Sequence, residues 1–284
     1  MKIVECPRDA MQGLAAFIPT ESKVSYINQL LKVGFDTIDF GSFVSPEAIP
    51  QMRDTAEVLN GLQVGPSQSK LLAIVANLRG AQDAASVGGI HYLGFPLSLS
   101  ETFQKRNTNR TIDQAIVTVA EIQNLCANSD MQLVTYLSMG FGNPYNDPYD
   151  EGMVTSFVER LVDMGIYIIS LADTTGVSNT QNITKLFDSL IPGFPKVEFG
   201  AHLHSHSSGV HEKIVAAYRA GCRRFDGALK GYGGCPMAED QLVGNIPTES
   251  LMACLADLGE RIDYNKEALQ AAMDMVPDIF SNRT

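Results

Sequence analysis

The chain has no run of about 18 apolar residues, so no segment of it reads as a membrane-spanning helix. It also has no Cys-x-x-Cys pair. Its cysteines, Cys6, Cys126, Cys222, Cys235 and Cys254, are odd in number and scattered, which argues against a disulfide framework and against a structural zinc site. A cysteine that matters here acts alone, as a thiol. Positive charge is short as well: 21 basic against 32 acidic side chains give a formal charge of −11. With no long basic run, that balance repels nucleic acid and anionic membranes. Linkers, low-complexity tracts and fixed-period repeats are all missing, so one domain over residues 1–284 is the simplest organisation. The first residues, Lys2 to Cys6, read as a strand rather than a signal or transit peptide, and the expectation is a soluble, cytoplasmic protein.

What is present is alternation. Apolar, β-rich runs recur at Ile3 to Cys6, Thr37 to Phe40, Leu72 to Ala76, His91 to Phe95, Leu133 to Leu137, Tyr167 to Leu171, Val197 to Leu203 and Arg224 to Ala228. Helical patterns separate them. Thr20-Glu21, for instance, opens a stretch with Val24, Ile27, Leu30, Leu31 and Val33 on one face, closed by Gly34. Strands alternating with helices imply a parallel sheet with right-handed crossovers. Eight such units in this length predict an α/β fold of the (β/α)8 TIM-barrel type. A doubly wound open sheet would carry a glycine-rich phosphate loop after its first strand, and that place holds Pro7-Arg8-Asp9-Ala10 instead. The segment after about Leu251 reads as additional C-terminal helices, packed on the outside of the barrel or against a partner subunit.

A barrel of this type places its chemistry at the C-terminal ends of its strands. Four of the five histidines lie between His202 and His211, at the predicted end of strand seven. In an extended strand His202 and His204 face the same way, about 7 Å apart, close enough to share one metal ion. His-x-His also occurs on half-buried strands without a metal. Arg8 and Asp9 follow strand one, which barrel closure brings beside strands seven and eight. They read either as a structural ion pair or as a ligand with a charge stabiliser. Nitrogen and oxygen donors together suit Mg²⁺, Mn²⁺ or Zn²⁺. Gly231-Tyr232-Gly233-Gly234-Cys235-Pro236 follows strand eight, where a loop rich in glycine can serve as a lid and Cys235 either carries protons or is incidental. Asp39, Ser42, Ser170, Asp173 and Asn245 are expected at further strand ends or in the loops beyond them, as ligand-orienting groups or as helix caps.

Several stretches together resemble the 3-hydroxy-3-methylglutaryl-CoA lyase family. They are Pro7-Arg8-Asp9 with Gln12, Gly41-Ser42-Phe43-Val44-Ser45-Pro46 with Pro50-Gln51-Met52, Ser170-Leu171-Ala172-Asp173-Thr174-Thr175-Gly176, His202-Leu203-His204, and Gly233-Gly234-Cys235-Pro236. The resemblance implies a metal-dependent retro-Claisen cleavage of 3-hydroxy-3-methylglutaryl-CoA to acetyl-CoA and acetoacetate. It implies a divalent metal, Mg²⁺ or Mn²⁺ ahead of Zn²⁺, held by Asp9, His202, His204 and Asn245. It gives catalytic roles to Arg8, Asp9, His202 and Cys235, with Arg8 meeting enolate charge and Cys235 serving as the lid's acid-base thiol. Gln12, Asp39, Ser42, Ser170 and Asp173 fall to the substrate. The partner is then a small acyl-CoA, not nucleic acid or membrane, and the assembly a homodimer or other homo-oligomer. Coenzyme A phosphates call for a local basic patch, for which Lys105, Arg106 and Arg110 are the candidates.

The chain departs from the family pattern at Ala10-Met11-Gln12-Gly13, at Gly142-Asn143-Pro144-Tyr145, at Ser205-His206 and in the length from Cys235 to Asn245. Three other readings use the same residues: a related aldolase acting on a 4-hydroxy-2-oxo acid, a Claisen-type synthase of the same group, and a non-catalytic barrel that binds an acyl-CoA or a partner protein.

Overall fold

The computed structural model describes residues 1–65, 67–234 and 243–280. Its strands are β1 (Lys2–Glu5), β2 (Thr37–Ser42), β3 (Lys70–Ile74), β4 (Tyr92–Ser98), β5 (Gln132–Ser138), β6 (Ile168–Ala172), β7 (Glu198–His202) and β8 (Arg224–Gly227). Each pairs in parallel with the next, and β1 pairs with β8 through Lys2 to Glu5 against Arg224 to Gly227, so the sheet closes into the expected barrel. The expected runs sit on these strands with displaced ends. The third begins two residues earlier than its apolar run, leaving Ala76 in the loop beyond, and the seventh stops at His202 rather than Leu203.

The period of two in each strand sorts side chains between two cores. Leu72, Ile74, Tyr92, Val134, Tyr136 and Ile168 form one apolar cluster inside the barrel. The far larger cluster lies between strands and helices, with Leu30, Leu71, Phe187 and Leu251 among its fully buried members. At the N-terminal end of the barrel Arg224 spans the interior. It pairs with Glu198 at 3.1 Å and lies over the Tyr92 ring, while Lys2 joins the same Glu198 carboxylate. That ion cluster closes the bottom of the barrel and leaves the opposite, C-terminal end for a site.

The helix Thr20–Val33 runs as its pattern predicts and ends where Gly34 takes φ +89°, a left-handed turn that glycine adopts without strain. After β8 come the helices Thr248–Asp257 and Lys266–Phe280. The second lies on the outside of the barrel against Thr20–Val33: Gln29 donates to Ala268 O at 2.9 Å, and Tyr26 meets Phe280 edge to face at 6.1 Å.

Candidate active site

The short helix Pro7–Gln12 starts directly from β1, with proline at its first position, where the missing N–H costs no hydrogen bond. This turn buries Arg8 and Asp9 at the barrel mouth. Arg8 donates through Nε and Nη2 to Asp39 Oδ2 at 3.0 and 2.6 Å, and through Nη1 to Asp9 Oδ1 at 2.9 Å. Asp9 also accepts from Gln12 Nε2 at 2.7 Å and, on its other oxygen, from Asn245 Nδ2 at 2.6 Å. Burial alone would raise the Asp9 carboxyl, but Arg8, His202, His204 and the Asn245 hydrogen bond outweigh it and hold the group at about 2. For Asp39 burial prevails over Arg8, helped by Asp9 and Asp226, and its carboxyl rises to about 6.

His202 ends β7. Its Nδ1 lies 3.0 Å from Asp226 Oδ2, and its ring meets Tyr136 edge to face at 5.7 Å. Burial disfavours the imidazolium, yet the hydrogen bond and charge of Asp226 raise the His202 pKa above its ordinary value. His204 was expected on the same strand face; it lies two residues past the strand end, bridged in antiparallel fashion to Asn245. The two rings still meet, with centroids 5.1 Å apart. Burial and the neighbouring His202 depress the His204 pKa. Its Nδ1 faces Thr174 O at 3.2 Å and donates to it, which leaves Nε2 with the lone pair. That Nε2 is buried and has no hydrogen-bond partner among the described residues.

A buried imidazole nitrogen that keeps its lone pair is a donor suited to a metal ion. One ligand atom each from Asp9, His202 and His204 lies within 4.8 Å of the others, so the donor set fits one divalent cation. Cys6, His202 and Asp226 form a second such group, but it shares His202, whose Nδ1 Asp226 already engages.

The cluster opens into a cavity of about 540 Å³ whose wall includes Arg8, Asp9, Gln12, His202 and His204, with Arg106 and Arg110 also on it. Arg8 keeps two of its five N–H groups beyond the three bonds to Asp9 and Asp39, so it can meet negative charge there. Asn245 gives its amide nitrogen to Tyr232 O at 2.9 Å as well as to Asp9, and Tyr232 stacks on Phe280 with ring centroids 4.5 Å apart.

Other sequence candidates stand away from the cavity wall. Asp39 and Ser170 lie within β2 and β6 rather than at strand ends, and Asp39 sits behind Arg8. Ser42 gives its hydroxyl to Ile74 O at 3.1 Å. Asp173 is turned to Ser178 and Lys213. Lys105 pairs with Glu101 at 3.1 Å and is absent from the wall that Arg106 and Arg110 share. Cys235 lies outside the described residues. Asp226, Thr174 and Tyr136 were missed by sequence reasoning. Asp226 left a trace: it is an acid in the middle of the apolar run from Arg224 to Ala228.

A closed (β/α)8 barrel with a buried carboxylate and two imidazoles at its C-terminal mouth defines a barrel enzyme of the divalent-metal type. The HMGL-like family model matches residues 2–276, and the chain belongs to that family. It is 32% identical over 277 residues to the cytoplasmic 3-hydroxy-3-methylglutaryl-CoA lyase of Rattus norvegicus, covering 97% of this chain and 80% of the relative. It is 31% identical over 285 residues to the mitochondrial hydroxymethylglutaryl-CoA lyase of Bos taurus, covering 100% of this chain and 87% of the relative. Among solved structures, an HMG-CoA lyase from Acenitobacter baumannii in complex with coenzyme A and 3-methylmalate superposes with a TM-score of 0.92 at 32% identity, covering 100% of this chain and 92% of that one.

Proposed function

We propose that this chain is a carbon–carbon lyase that cleaves 3-hydroxy-3-methylglutaryl-CoA to acetyl-CoA and acetoacetate, with residues 1–284 as one catalytic domain. The observation that carries the reading is the convergence of Asp9, His202 and His204 within 4.8 Å, beside Arg8, on the wall of one cavity. Its likeness to lyases at about the same identity over nearly the whole chain supports the substrate class. No helix among the described residues is long and apolar enough to cross a membrane.

Asp9, His202 and His204 would hold the ion, with Asn245 beside them, and Mg²⁺ or Mn²⁺ is the proposed occupant. Such an ion, when bound, acidifies a hydroxyl and fixes the oxygens of the acid it holds. The chain's own residues supply the rest. Asp226 and Thr174 O orient the two imidazoles. Arg8, clamped by Asp39, presents its spare N–H groups to the thioester oxygen on which charge develops as the carbon–carbon bond breaks. Because Asp39 already holds Arg8 in place, little reorganisation is needed at that moment. Tyr136 and Ile74 form an apolar part of the wall, which keeps water from a carbanion-like centre. Arg106 and Arg110, on the same cavity, suit the phosphates of coenzyme A. The Cys235 thiol, the proton carrier implied by resemblance, lies outside the described residues. A cytoplasmic homodimer or other homo-oligomer is the proposed state.

Purified protein incubated with Mg²⁺ or Mn²⁺ and 3-hydroxy-3-methylglutaryl-CoA should release acetoacetate. No product with either ion, despite measurable ion binding, sinks the lyase reading. Cleavage of a free 4-hydroxy-2-oxo acid instead would favour the aldolase.

A further inference from the structure

Lys213 lies on the helix Val210–Arg219, buried to 7% exposure and away from the cavity wall. A buried ammonium is costly unless it is paired and its protons are all taken. Here they are. Lys213 Nζ donates to Asp173 Oδ2 at 2.8 Å, to His204 O at 2.7 Å and to Gly176 O at 3.2 Å. Those three acceptors belong to the two segments that leave β6 and β7 at the barrel mouth. Asp173 is itself held, since Ser178 donates to it through both its backbone N–H, at 3.1 Å, and its hydroxyl. One residue on from Asp173 is Thr174, whose carbonyl faces His204 Nδ1.

We propose, building on the metal-dependent reading above, that Lys213 is a positioning residue for His204. By tying Asp173 and Gly176 to the His204 carbonyl, it fixes the distance between Thr174 O and His204 Nδ1. That hydrogen bond decides the tautomer: with the proton on Nδ1, Nε2 offers a lone pair to the ion. Without the lysine, the links left between the two segments among the described residues are the Asp173 N–H to His202 O bond at 2.9 Å and the Thr174–His204 contact itself. The Asp173 carboxylate loses its cation, and the imidazole is freer to carry its proton on Nε2, where it blocks ligation. Asp173 therefore acts on the site through Lys213 and the Thr174 backbone, not by touching substrate. Groups in such supporting positions typically change metal affinity by about 10- to 100-fold.

The test uses two readings on the metal-free and Mn²⁺-titrated full chain, neither of which needs turnover. Nitrogen-15 NMR of labelled imidazoles reports the His204 tautomer, and electron paramagnetic resonance of free Mn²⁺ reports affinity. Wild-type protein should show the proton on Nδ1. Lys213→Met should show mixed tautomers and Mn²⁺ binding weaker by about 10- to 100-fold. If Lys213→Met fails to fold because Asp173 is left as a buried, unpaired charge, Lys213→Met with Asp173→Asn removes that charge and is expected to show the same two losses. A folded variant of either kind that keeps the wild-type tautomer and binds Mn²⁺ as tightly as wild type overturns the proposal. Wild-type protein that binds Mn²⁺ yet does not cleave 3-hydroxy-3-methylglutaryl-CoA defeats the lyase reading alone and leaves both readings usable.

Discussion

Asp226 stands directly behind His202, with 3.0 Å between its Oδ2 and the ring Nδ1. The hydrogen bond commits Nδ1 and leaves Nε2 of His202 as the ring nitrogen that can bind an ion. Asp226→Ala should weaken Mn²⁺ binding by about 10- to 100-fold. Asp226→Asn, whose carbonyl still accepts from Nδ1, should lose less. Isothermal titration of both variants checks the order, and wild-type affinity in Asp226→Ala would remove the pair from the site.

Arg8 joins two carboxylates, so its removal has two separable effects. Arg8→Lys keeps a charge but not the forked donors, and should lower turnover by about 10²- to 10³-fold. Arg8→Met leaves Asp39 and Asp9 without their cation in a buried setting and should cost about 3 to 5 kcal/mol of stability. Adding Asp39→Asn should recover part of that stability without recovering turnover. Urea unfolding read beside initial rates tells the two effects apart.

Glu5, buried on the outer side of β1, titrates far from its ordinary range. Burial pushes its carboxyl up to about 8, and the donors Thr248 Oγ1 and Leu229 N draw it back only in part. An unfolded glutamate releases its proton near 4.5, so between that value and about 8 the unfolded chain ionises while the folded one does not. The contribution of Glu5 to stability is thus complete below the unfolded value and is lost as pH rises through about 8. At about 1.4 kcal/mol for each pH unit, the loss is on the order of a few kcal/mol. Glu5→Gln should flatten the unfolding free energy across this window and gain most over wild type on the alkaline side. Parallel pH profiles of the two proteins would sink the idea.

Gly233 has φ +95°, and a Cβ there would sit 2.7 Å from both Asn245 Nδ2 and Asp9 O. Gly233→Ala should cost about 1 to 3 kcal/mol in strain. It should also push Asn245 from Asp9, so Mn²⁺ affinity should fall more than a surface glycine-to-alanine change such as Gly259→Ala allows. Equal affinities in the two variants would contradict this.

The barrel was legible because its signal is repeated. Eight apolar runs separated by helical faces leave few topologies, and Pro7-Arg8-Asp9 in place of a glycine loop removes the main rival. The Asp9, His202 and His204 grouping was legible for a related reason: closure of β1 on β8 follows from the fold itself. Side-chain partners across the barrel were not. His202 and Asp226 are 24 residues apart on neighbouring strands, and only their register brings them together. The Asp173 partners were not legible either, because a carboxylate in a loop after a strand looks alike in sequence whether it faces a cavity or a buried lysine on the helix after the next strand. His204 misled in geometry alone: alternation was assumed to continue, whereas β7 ends two residues before it, at His202, and a bridge to Asn245 takes over.

The Tyr232 ring rests on Phe280 of the outermost helix, while the Tyr232 carbonyl holds Asn245 and, through it, the Asp9 carboxylate. Phe280, far along the chain from the residues of the cavity, is therefore three contacts from Asp9, a proposed ligand. The helix Lys266–Phe280, on the outside of the barrel, is thereby in contact with the loop that follows β8 and that lies against the Asp9 carboxylate.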